Sequence, residues 1–153
     1  MGSGVQHGAV TFLVDDEDSI EGACTIEALG EYIRRVDDSI DTAYARLEHA
    51  RGERSVVVLV NVDGRVSSWL LPRSGAPVAS AEAVCVVEAV MQTEPIEVRR
   101  PIGFAMHFAV GGAPLRVKVL DTVPEEWQTV MATAAQPPAS MAEFFGLFWS
   151  SHV

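Results

Sequence analysis

The chain has 153 residues, 48% of them apolar and 21% charged, and a formal charge of −10. That length fits one domain able to bury a substantial core, and the apolar share excludes a disordered chain. Residues 1–50 hold eleven Asp and Glu against three Arg, while residues 51–153 hold ten against eight Arg and Lys, so the first third carries the acidic excess. That excess disfavours nucleic acid as a partner and steers basic proteins toward the first third.

Residues 8–14 read as a short strand, followed by a solvated acidic turn, Asp15-Asp16-Glu17-Asp18. Ile26, Leu29, Ile33, Val36, Ile40, Tyr44 and Leu47 recur at steps of three and four, which predicts a helix over 26–50. Thr25 caps its start in this reading and Gly52 stops it. Residues 55–62 and 65–71 form a hairpin about Asp63-Gly64, a pair suited to a two-residue type I′ turn. Both strands are apolar on both faces near their middles, which predicts a hairpin central in its sheet and ended by Pro72.

Ser80 opens a second helix over 80–91, apolar nearly all round and therefore expected to be well buried. In 102–110 the large Ile102, Phe104, Met106, Phe108 and Val110 alternate with Gly103, Ala105, His107 and Ala109. That strand has a firmly set register, and its small-residue face is either exposed or closely covered. Leu115, Val117 and Val119 alternate with Arg116 and Lys118, an edge-strand pattern over 115–120. Thr122 with Glu125, and Ser140 with Glu143, are capping boxes for two last helices. The whole is a single α+β domain, a mainly antiparallel sheet packed by helices. Its helix–hairpin–helix–strand core is 26–110, with an added strand and a C-terminal extension, 111–153, that carries the two last helices.

No catalytic residue, metal site or cofactor is indicated. The four histidines are scattered, the acidic run 15–18 lacks the alternate ligands and glycine of a calcium loop, and no nucleophile elbow or phosphate loop is present. Cys24 and Cys85 sit in apolar surroundings and read as buried free thiols. Three groups are candidates for binding. Asp37, Asp38 and Asp41 lie toward the outer face of the first long helix. His107 can face an apolar pocket with Trp69 and Met106. Phe144, Phe145, Phe148 and Trp149 on the last helix either dock on the sheet or dock into a partner.

The element order from 26 to 110 resembles the C-terminal domain of TonB-type energy transducers, and the related domain of myxobacterial gliding-motility proteins. A helix leads into a valine-rich strand, Ser55-Val-Val-Val-Leu-Val-Asn-Val62, then an Asp63-Gly64 turn, a Ser74-Gly75 loop, an Ala/Val helix, and Pro101 before an aromatic strand. The resemblance implies a non-catalytic periplasmic binding domain that captures a partner strand on an exposed sheet edge. It leaves the first strand and residues 111–153 without a counterpart.

The leading expectation is thus a protein-interaction domain, binding through a sheet edge, the aromatic helix or the acidic surface. Its partner is another protein, a basic one where the acidic surface binds, or a second copy of the chain. The first alternative is a small-molecule-binding protein or enzyme with a pocket near His107. The second is a cytosolic acidic immunity or adaptor protein. No apolar run approaches the ~18 residues that span a bilayer, so direct membrane insertion is not expected. Met1-Gly2-Ser3-Gly4 lacks the regions of a signal peptide, which implies a cytoplasmic chain, or a periplasmic one whose leader or anchor has been removed.

Overall fold

The computed structural model describes residues 4–14 and 18–152; the acidic turn expected at 15–18 lies outside them except for its last residue. The elements in chain order are β1 (Gln6–Phe12), α1 (Asp18–Glu21), α2 (Ile26–Ala45), β2 (Gly52–Val60), β3 (Val66–Gly75), α3 (Ser80–Met91), β4 (Ile102–Val110), α4 (Glu125–Ala132) and α5 (Met141–Ser150). The strands make one antiparallel sheet in the order β1-β4-β2-β3.

The alternation of β2 and β4 builds two cores. Val56, Val58 and Val60 with Ile102, Phe104, Met106, Phe108 and Val110 face α2 and α3. Val57, Leu59 and Ala105 face the other way, against α4 and α5. Every residue of β2 and β4 is buried, which is why both strands are apolar on both faces. The fold is therefore the expected α+β arrangement, with one helical layer on each side of the sheet.

Several local expectations need correction. The first long helix ends at Ala45, 20 residues or about 30 Å long, rather than running to 50. His49 turns the chain with φ +69°, and Gly52 opens β2 instead of capping the helix. A Cβ at Gly52 would lie 2.4 Å from the Ser74 carbonyl oxygen, at a φ of +142°. The β2–β3 loop has three residues, Val62-Asp63-Gly64, closed by the Gly64 N–H to the Asn61 carbonyl at 3.1 Å. Only Gly64 has positive φ, so the turn is not type I′. β3 continues past Pro72 to Gly75 by bulging at Arg73, and it is an edge strand; only β2 of the hairpin is central. An edge tolerates the proline because its missing N–H faces outward.

In α3 only Glu82, Val86 and Val90 are buried; Val84 and Met91 are exposed, because the helix touches its neighbours along one stripe. Ser80 is its first residue and Ala79 occupies the cap position. Residues 115–120 form no strand. They run as a strap across the α5 side, where the buried Glu53 carboxylate accepts the N–H groups of Arg116 (2.6 Å) and Val117 (2.7 Å). The Thr122 box does not form; Pro124 stands at the cap of α4. At α5 the Ser140 hydroxyl does accept the Glu143 N–H, and the Glu143 carboxylate reaches back to the Ala139 N–H.

The α2/α3 layer also encloses charge. Arg54 is fully buried, with Nε 2.9 Å and Nη2 3.3 Å from the two Glu82 oxygens. The Tyr44 hydroxyl donates to the same carboxylate at 2.5 Å. Burial first, and the Glu82 bond second, push the Tyr44 pKa well up.

Candidate functional site

The candidate residues from α2 and β4 converge on β1. Asp37 and Asp41 are one turn apart on α2 and grip the imidazole of His7, with Nδ1 3.0 Å from Asp37 and Nε2 2.8 Å from Asp41. Asp38 stands beside them, exposed. Two carboxylates on two ring nitrogens require both nitrogens to donate, so the ring is an imidazolium. Its pKa is raised to about 9, chiefly by the Asp37 hydrogen bond; burial opposes this and Asp41 adds to it.

On the opposite face, Thr11 Oγ1 lies 2.8 Å from His107 Nε2, and Ser55 Oγ 2.7 Å from His107 Nδ1. The Arg73 guanidinium donates to Ser55 Oγ at 3.3 Å and to the Val119 carbonyl at 3.3 Å, and it pairs with Asp121. Because Ser55 is completely buried, its own proton needs an acceptor, and His107 Nδ1 supplies one. The His107 Nε2–H then donates to Thr11. Burial, followed by the Arg73 charge, holds the His107 pKa below its ordinary value, with Asp121 opposing. A serine beside a histidine has the form of a nucleophile and its base, but here both are sealed in the sheet.

The residues expected to frame a pocket with His107 separate. Met106 points into the α2/α3 core, and Trp69 packs in the α4/α5 core with its indole N–H on Glu126 at 2.9 Å. A groove of about 820 Å³ lies instead between the start of α2, the β2–β3 loop and residues 95–99, with Cys24 on its wall. Burial raises the Cys24 thiol pKa, which makes it a poor nucleophile. Phe144, Phe145, Phe148 and Trp149 are all buried against their own sheet. The small face of β4 exists to receive them: a Cβ at Gly103 would come within 2.9 Å of the Phe145 ring and 2.6 Å of Leu59. Docking these side chains into a partner would require α5 to leave the sheet.

The sheet has two outer edges, β3, which carries Pro72 and Arg73, and β1. The segment Gln6-His-Gly-Ala-Val-Thr-Phe12 contains no Lys, Arg, Asp, Glu or Pro, residues that commonly guard an edge strand. Residues 6–9 and Phe12 are exposed. The strand bulges between His7 and Val10 and then pairs regularly with β4. The Leu13 N–H bonds the Gly103 carbonyl at 2.9 Å, so by alternation the Thr11 backbone faces β4 while the backbone groups of Val10 and Phe12 point outward. No strand lies beyond β1 among the described residues. No protein-family model, curated protein or solved structure matches the chain.

Sequence reasoning singled out Asp37, Asp38, Asp41 and His107 but missed His7 and Thr11, which join them to β1. Nothing local to residues 6–12 signals either partner.

The two histidines give stability opposite pH limbs. The folded-state pKa of His7 lies above 6.5, so its contribution is full below about pH 6.5 and is lost as pH rises through about 9. The folded-state pKa of His107 lies below 6.5, so its contribution is full above that pH and is lost as pH falls. His7→Gln is expected to flatten the alkaline limb of a urea-midpoint profile and leave the acid limb in place. An unchanged fall between pH 6.5 and 9 would show that the His7 clip carries no stability.

Proposed function

We propose that the chain is a non-catalytic protein-interaction domain that captures an extended partner segment along the outer edge of β1. The observation that carries this reading is an open edge strand without Lys, Arg, Asp, Glu or Pro, fixed on both faces, by His7 to α2 and by Thr11 to His107. Such a strand presents aligned donors and acceptors without having to order itself first, so the entropic cost of association falls on the partner. The resemblance of residues 26–110 to TonB-type C-terminal domains supports the same class of function. In this chain the aromatic strand β4 is covered by β1, so capture moves one strand outward.

Phe12→Pro tests the proposal. It deletes one outward N–H and places a ring in the path of an incoming strand, while the Thr11 and Leu13 bonds to β4 stay available. Partners that the native chain retains from host extract are expected to bind the variant about tenfold more weakly or worse, at unchanged thermal stability. The amides of Val10 and Phe12 are expected to gain hydrogen-exchange protection in the native complex. Equal retention by both forms would rule out the β1 edge as the binding surface.

A further inference from the structure

Resting on that reading, we infer that the captured segment is basic, with Lys or Arg at alternate positions on the α2 side of the added strand. Asp37 and Asp41 already reach over β1 to His7, at 3.0 and 2.8 Å. A strand added about 4.8 Å beyond β1 would bring alternate side chains beside that same row, within the span of a Lys or Arg. Two carboxylates hold the single His7 imidazolium, and Asp38 adds an exposed third on the same helix. Arg35, the nearest basic residue in sequence, is turned to the Glu94 and Pro95 carbonyls at 3.3 and 3.5 Å.

Charge also decides between occupants. A second copy paired antiparallel along β1 would be related by a two-fold axis normal to the sheet. That operation leaves both α2 helices on one face, so the acidic rows of two chains of formal charge −10 would flank the same seam. Like-charge juxtaposition suppresses that pairing, whereas a basic segment meets a complementary field that also speeds its encounter.

The probes are two synthetic seven-residue peptides with Val at alternate positions, one filled in with Lys and Arg and the other with Glu. Binding to the full chain is read by fluorescence anisotropy at about 0.05 M and about 0.3 M salt, which span strong and weak screening. The basic peptide is expected to bind about tenfold more tightly than the Glu peptide at low salt, with the gap shrinking at high salt. Asp38→Lys, an exposed change away from the His7 clip, is expected to weaken the basic peptide about threefold, the scale of a surface ion pair. Phe12→Pro is expected to abolish its binding.

Equal binding of both peptides, lost together in Phe12→Pro, would overturn the basic-segment inference and leave edge capture standing. Retention of the basic peptide by Phe12→Pro would overturn edge capture and this inference with it. Binding of neither peptide also overturns the inference; a sedimenting dimer lost in Phe12→Pro would then identify a second copy as the occupant.

Discussion

Glu82→Ala is expected to destabilise the protein by about 3–5 kcal/mol, a large part of the roughly 5–15 kcal/mol that holds a domain folded. The substitution leaves Arg54, which has no exposed surface, without its carboxylate, and it removes the acceptor of the Tyr44 hydroxyl. The remaining acceptors of Arg54 are the Glu53 and Arg51 carbonyls, at 3.2 and 3.4 Å, and neither carries a charge. Urea midpoints at constant slope measure the loss, and a change under about 1 kcal/mol would show that water or a rearranged side chain compensates Arg54. Removing the whole cluster is a different matter. Arg54→Met with Glu82→Leu and Tyr44→Phe leaves no orphaned group and is expected to recover most of the stability.

Phe148→Ala is expected to cost a similar amount, about 3–5 kcal/mol, by opening a cavity in the second core. Phe148 is completely buried, with ring centroids 4.1 Å from His152, 5.0 Å from Trp149 and 5.5 Å from Trp69. All three tryptophans, Trp69, Trp127 and Trp149, belong to this core and none to the other. Tryptophan fluorescence therefore reports the α4/α5 layer alone, while far-ultraviolet circular dichroism reports the whole fold. In the variant the fluorescence transition is expected at lower urea than the dichroism transition. Coincident transitions would show that the two layers unfold as one unit.

The sequence was informative where one element's pattern is set by burial on both sides. The alternation of 102–110 and the valine run of β2 both follow from side chains facing two cores. It misled where a distant side chain takes over a backbone role. Leu115, Val117 and Val119 alternate as a strand would, but Glu53 supplies the acceptors that a neighbouring strand would have supplied. The helix signal through Leu47 is real in its spacing, yet Leu47 only packs against the first core from beyond the helix end. The acidic row on α2 is visible as spacing, but His7 lies thirty residues away in a strand. One pairing could have been drawn from the sequence: a strand face of Gly and Ala, and a late helix crowded with Phe and Trp, are complementary surfaces in search of each other.

The place of β1 beside β4 also bears on how the chain assembles. The unit from α2 to β4 closes through short connections, whereas β1 must pair with residues about a hundred positions downstream, such as Gln6 with Ala109 and Phe12 with Phe104. Loop-closure entropy makes that pairing the late one. Until it forms, the exposed edge belongs to β4, whose nine residues carry no charge apart from a histidine that is neutral when buried and include no proline. Uncharged, strongly β-forming segments of that kind nucleate aggregates when left uncovered. β1 thus shields the most self-adhesive segment of the chain, and the edge it then presents is shorter, bulged and mostly of small or polar residues.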